Sequence, residues 1–94
     1  MYRIIDSRSS GKTSRLMLLA KETNSVIACS NPYAMREKAL GYGITGLTIV
    51  SYEDILNKDN DSLRGRKVMI DEIESFVQYQ LFTKLTGYTL SNED

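Results

Sequence analysis

Short apolar runs alternate with segments of helical period along this chain. Tyr2-Arg3-Ile4-Ile5 predicts a strand at the outset. Residues 13–23 place Leu16, Leu19, Ala20 and Thr23 on one helical face. Ser25-Val26-Ile27-Ala28-Cys29-Ser30 predicts a second strand, and its consecutive apolar residues suit one covered on both faces. Asn31-Pro32 opens a second helix, because Asn caps well and Pro fits the first helical position. Met35, Ala39 and Tyr42 share a face there, and Gly41 and Gly43 end the helix. A third strand follows over 46–50. Ser51 to Asp54 has capping-box spacing and starts a short helix through Leu56. Residues 57–65 are polar and predict a loop. Arg66 to Asp71 predicts a fourth strand. Beyond it Ile73, Val77, Leu81 and Leu85 recur every four residues, with Phe76 beside them, which predicts a helix from Glu72 to about Leu85 with a buried stripe. Residues 86–91 suit a short final strand.

Strand-helix alternation with short connections predicts an α/β fold. We expect three layers: a mostly parallel sheet of four or five strands, helices on both faces and right-handed crossovers. Ligands of such sheets sit beyond the carboxyl ends of the strands. One domain over 1–90 and a flexible tail over 91–94 are expected.

Composition narrows the classes. The chain has 94 residues, 41% hydrophobic and 26% charged, which indicates neither disorder nor a coiled coil. No apolar stretch approaches the ~20 residues of a membrane span, so no membrane partner is expected. The start lacks the pattern of a signal peptide, and one cysteine cannot form an internal disulfide. A cytoplasmic location, in a bacterial or phage-infected cell, is the expectation. With no histidine, histidine catalysis and most zinc sites are excluded. Cys29 reads as a core residue. Net charge is zero, yet residues 1–47 hold seven basic and three acidic side chains and residues 48–94 hold five and nine. That asymmetry is weak support for nucleic-acid binding, since such footprints are usually strongly basic.

Two motifs carry candidate chemistry. Asp6-Ser7-Arg8-Ser9-Ser10-Gly11-Lys12-Thr13 joins the first strand to the first helix. Its Gly-Lys-Thr end has the residue types of a phosphate loop. Gly11 lets backbone approach phosphate oxygens, Lys12 supplies a point charge for the outer phosphates, and the Thr13 hydroxyl suits magnesium. Ser9, Ser10, Gly11, Lys12, Thr13 and Ser14 are the candidate nucleotide-binding residues. Asp6 stands where the full pattern has its first glycine. The alternative is a chance Ser-Gly-Lys-Thr in an ordinary loop. The second motif, Val68-Met69-Ile70-Asp71-Glu72, is an apolar strand ending in two acids. Asp71 is positioned to hold magnesium with Thr13, and Glu72 to orient and deprotonate water as a catalytic base. The alternative is that two acids simply open a helix, where they favour its dipole.

Taken together, the motifs resemble those of the P-loop NTPases. Asp6–Thr13 looks like a degenerate Walker A and Val68–Glu72 like a Walker B followed by a catalytic glutamate. The arrangement is similar to the division that includes helicases, RecA-like proteins and phage terminases. The Arg8, Ser10, Gly11, Lys12, Thr13 pattern resembles the glycine-rich loop of terminase large subunits, with Asp6, Ser7 and Ser9 in place of glycines. The resemblance implies a small phage or mobile-element protein that binds ATP with Mg2+. It also implies a truncated core, since these families continue past Walker B with a sensor strand and often an arginine finger. Arg64 and Arg66 read either as fingers acting on a neighbouring copy or as solvated loop charges.

Two functions lead from the sequence, and a third, direct nucleic-acid binding without nucleotide, has only the basic N-terminal half behind it. One is a minimal ATPase, or an ATP-dependent accessory factor in DNA metabolism. The other is a catalytically inactive binding module of the same fold that docks a host or phage protein. Tyr79 and Phe82 lie off the expected stripe, with Tyr88 shortly after, and are the candidate surface for a protein partner or a homo-oligomer.

Overall fold

The structure is a computed structural model, and it describes residues 1–5 and 11–91. Its elements are α1 (Lys12–Thr23), β1 (Val26–Cys29), α2 (Pro32–Tyr42), β2 (Ile49–Ser51), α3 (Tyr52–Leu56), a 3₁₀ turn at Asp61–Leu63, β3 (Val68–Ile70) and α4 (Ile73–Gln80). The three strands form one parallel sheet in the order β2-β1-β3.

β1 is central because it is apolar at every position, and all four of its residues are buried. Ile27 pairs with both Ile49 and Met69, so the strands are in register across the sheet. Ile27, Cys29 and Ile49 join Leu16, Met17 and Ala20 of α1 and Met35 and Ala39 of α2 in one apolar cluster. Alternation sends Val26 and Ala28 to the opposite face of β1, where they are equally buried outside that cluster. Both faces of the central strand are therefore covered, as its unbroken apolar run requires.

Local signals set the helix limits. The Asn31 side chain accepts from the Ala34 amide at 3.1 Å, Pro32 occupies the first position of α2, and Gly43 ends it at φ 71°. Ser51 and Asp54 exchange both capping-box hydrogen bonds, at 3.1 and 2.9 Å, so β2 passes into α3 without a loop. Within the loop at 57–65 one charge pair is made internally. Arg64 pairs with Asp61 at 2.7 Å and donates to the Lys58 carbonyl, which fits the solvated-loop reading of that arginine.

Three expectations are corrected. Residues 2–5 form no strand; Ile4 packs on the core while Tyr2 and Ile5 are exposed. A strand exists only where a ladder completes it, and β3 pairs only with β1 among the described residues. Residues 86–91 form no strand either, so the sheet has three strands among the described residues rather than four or five. Helix α4 ends at Gln80, and none of its residues is buried. The Gln78 side chain explains the early end: it donates to the Thr83 carbonyl at 2.8 Å and accepts from the Leu85 amide at 2.7 Å, turning the chain back along the helix. Tyr88 completes that return by donating to Glu74. Ile73 and Leu81, placed by the four-residue period in a buried stripe, are both exposed.

Candidate functional site

The first turn of α1 and the end of β3 meet. Gly11 caps α1 in the left-handed region at φ 82°, a conformation that side chains rarely adopt. Lys12, Thr13 and Ser14 then form the first turn, each half-buried, and the Ser14 hydroxyl donates to the Gly11 carbonyl at 2.9 Å. Ser9 and Ser10 lie outside the described residues, as do Asp6, Ser7 and Arg8. At the other motif, β3 carries its chain to Asp71, whose amide donates to the Ala28 carbonyl at 2.9 Å and extends the ladder by one bond. Glu72 follows as the cap of α4, itself left-handed at φ 59°, ψ 78°.

The Lys12 ammonium lies 2.7 Å from Oε1 of Glu72. Far apart in the chain, the last part of one motif and the last part of the other share an ion pair. Of the expected site residues, Lys12 and Glu72 are in direct contact. Thr13 and Asp71 are their immediate chain neighbours.

Electrostatics at this corner follow from burial. Desolvation pushes the Asp71 carboxyl above the ordinary carboxylate range, and the Glu72 charge beside it adds to the rise; Lys12 and Lys38 pull it back. Asp71 is a half-buried carboxylate that could serve as one ligand of a hard cation that brings its other ligands with it. Magnesium fits that description, because it keeps several waters and uses one or two carboxylates together with phosphate oxygens. No group of three or more His, Cys, Asp or Glu residues is placed to hold a metal by itself among the described residues.

Tyr52, the first residue of α3, is the participant that sequence reasoning missed. It is 3% exposed. Its hydroxyl donates to the Asp71 carbonyl at 2.6 Å and lies 3.3 Å from that of Glu72. Burial, then the nearby Asp71 charge, pushes its pKa up to about 12. Tyr52 and Asp71 are 19 positions apart, and only a long-range contact reveals the role of the tyrosine. Nearby, an open groove of about 310 Å3 lies between Ser30 and Ser51 on one side and Ser75 and Tyr79 on the other, with Tyr52 and Glu53 in its lining. Neither Lys12 nor Asp71 lines it.

Tyr79 and Phe82 are placed differently from each other. Tyr79 is half-exposed and sets its ring edge-on to Tyr52 at 5.8 Å. Phe82 stands wholly in solvent, uncovered by the returning segment 83–91. Cys29 is buried in β1, as expected of a core residue, and burial raises its thiol pKa. No described helix is long and apolar enough to cross a membrane.

No protein-family model matches this chain, and neither the curated proteins nor the solved structures searched contain a significant match.

Proposed function

We propose that this chain binds a nucleoside triphosphate, ATP in the first instance, together with Mg2+, at the corner where α1 meets the end of β3. The observation that carries this reading is the 2.7 Å contact between Lys12 and Glu72. The contact brings the ends of the two motifs to one corner of the fold. A phosphate loop and an acidic strand end must meet in this way to act on one ligand.

The residues divide the work by chemistry. Lys12 would hold outer phosphate oxygens as a mobile point charge, with the backbone of Gly11 and the first-turn residues Thr13 and Ser14 beneath them. Ser9 and Ser10 complete the loop in this reading. Thr13 and Asp71 would hold the magnesium, which supplies neutralisation of the phosphate charge when bound. A phosphate that draws Lys12 away leaves the Glu72 carboxylate free. Glu72 is then the group to accept a proton from a water, as the catalytic base of an ATP hydrolase.

The test is calorimetric titration with ATP and Mg2+, compared with GTP and with Lys12→Ala. Binding by the wild type that Lys12→Ala abolishes supports the reading. Equal heats for the two proteins, or none for the wild type, refute it.

The wholly exposed Phe82, beside the half-exposed Tyr79, supports a second reading. A domain that keeps the nucleotide corner without turnover and docks a protein through those rings would need them uncovered when alone. Hydrolysis assayed alongside binding separates the two readings.

A further inference from the structure

One hydroxyl grips both sides of the most strained residue in the candidate site. Glu72 is a non-glycine residue at φ 59°, ψ 78°, a region that L side chains occupy only when their surroundings hold them there. Its φ and ψ are set by the two peptide planes that flank its Cα. The carbonyl of Asp71 belongs to the first plane and the carbonyl of Glu72 to the second. The Tyr52 hydroxyl lies 2.6 Å from one and 3.3 Å from the other.

The grip is itself fixed. Tyr52 is buried at the start of α3, and the Ser51–Asp54 capping box next to it holds the backbone of that first turn. Its ring packs edge-on against Phe76 at 5.2 Å and Tyr79 at 5.8 Å, both on the helix that Glu72 caps.

We propose that Tyr52 is a positioning residue of the candidate nucleotide site: by holding the peptide planes on both sides of Glu72, it sets where the Asp71 and Glu72 carboxylates stand relative to Lys12. This rests on the nucleotide reading above. It assigns to a tyrosine on α3 the control of the magnesium-dependent half of binding, while the phosphate-contacting half at the start of α1 stays independent of it.

The experiment compares ATP affinity with and without Mg2+ in wild type, Tyr52→Phe and Ile55→Ala. The first variant removes the hydroxyl and keeps the ring. The second trims a part-buried residue of the same helix and reports what loosening α3 does by itself. A lost hydrogen bond corresponds to roughly tenfold in an equilibrium constant. Tyr52→Phe should therefore weaken Mg-ATP binding about tenfold and leave magnesium-free ATP binding within about twofold. Ile55→Ala should leave the ratio of the two affinities unchanged even where it lowers the melting temperature more. In ligand-free protein, Tyr52→Phe should also move the amide NMR signals of Glu72 and Ile73 and leave those of Val26 and Ile27 in place.

An unchanged affinity ratio in Tyr52→Phe, with wild type binding Mg-ATP normally, overturns this proposal alone. So does the same ratio change in Ile55→Ala, or a Tyr52→Phe chain that does not fold, since either makes the hydroxyl a structural group. Wild-type protein that binds no ATP under either condition overturns the nucleotide reading and this proposal with it.

Discussion

Replacing Lys12 by alanine separates a functional lysine from a structural one, because the structural terms nearly cancel. The ion pair with Glu72 is made by side chains 29% and 50% exposed, and such pairs contribute about 0–1 kcal/mol. Against that stands position. Lys12 is the first residue of α1, which has no acid in its first turn, so its charge faces the positive end of the helix dipole. Charge at a helix terminus is worth about 0.3–1 kcal/mol, and here the sign is unfavourable. Alanine also has a slightly better helix propensity. The net effect on stability should lie within about 1 kcal/mol of zero, or a melting shift of no more than roughly 4–8 °C in either direction for a domain this size. Met17→Ala serves as the comparison: Met17 is wholly buried, and its truncation should cost about 2–5 kcal/mol. Thermal unfolding by circular dichroism reads both. If Lys12→Ala melts as early as Met17→Ala, Lys12 is a structural residue and the argument from its placement fails. If it melts with the wild type and has lost Mg-ATP binding, the lysine is kept at that helix start for its ligand.

Asp71→Asn should stabilise the protein at neutral pH and abolish magnesium-supported binding. The folded-state pKa of Asp71 is raised, so its favourable contribution is present below the unfolded value and is lost as pH rises through the folded one. The amide that replaces the carboxyl in that variant does not titrate and carries no such dependence. Melting curves from pH 3 to 7 should be flatter for the variant, with a gain on the order of a few degrees at pH 7; a lower melting temperature at pH 7 refutes the sign. Tyr79→Ala with Phe82→Ala should cost about 1–3 kcal/mol, from the lost Tyr79–Tyr52 ring pair and the covered half of Tyr79, since Phe82 touches solvent throughout. Sedimentation velocity then asks whether the pair of changes reduces self-association. A stability loss well beyond that range would place these rings in the core.

What was legible in the sequence was whatever is decided locally. Asn31, Pro32 and Gly43 bound α2 because caps and breakers act within a turn of the helix end. The Ser51–Asp54 box marks α3 for the same reason. β1 was legible because four consecutive apolar residues have few other uses in a parallel sheet. The failures are all long-range. Whether residues 2–5 or 86–91 become strands depends on a partner edge, and their own side chains do not reveal it. The stripe through Ile73 and Leu81 needed a surface to lie against, and the Gln78 side chain turns the chain back before one is met. At the site, the residue types of both motifs could be read, as could their order. The left-handed backbone of Glu72 could not, since Asp-Glu before an apolar run reads as an ordinary helix start. Nor could Tyr52, whose polar partners are backbone atoms that carry no sequence signature.

The buried thiol of Cys29 turns the middle strand into a clock. It is the one cysteine of the chain, 2% exposed, with its sulfur toward the Val50 carbonyl across the β1–β2 ladder. A thiol reagent reaches it only when the sheet opens between those strands, so the labelling rate is the opening equilibrium multiplied by the rate for a free thiol. Opening that requires global unfolding makes that rate fall with every increment of stability. Each bound ligand, pH change or substitution discussed above then has a readout in the native chain, with no added probe, as the time the central strand stays shut.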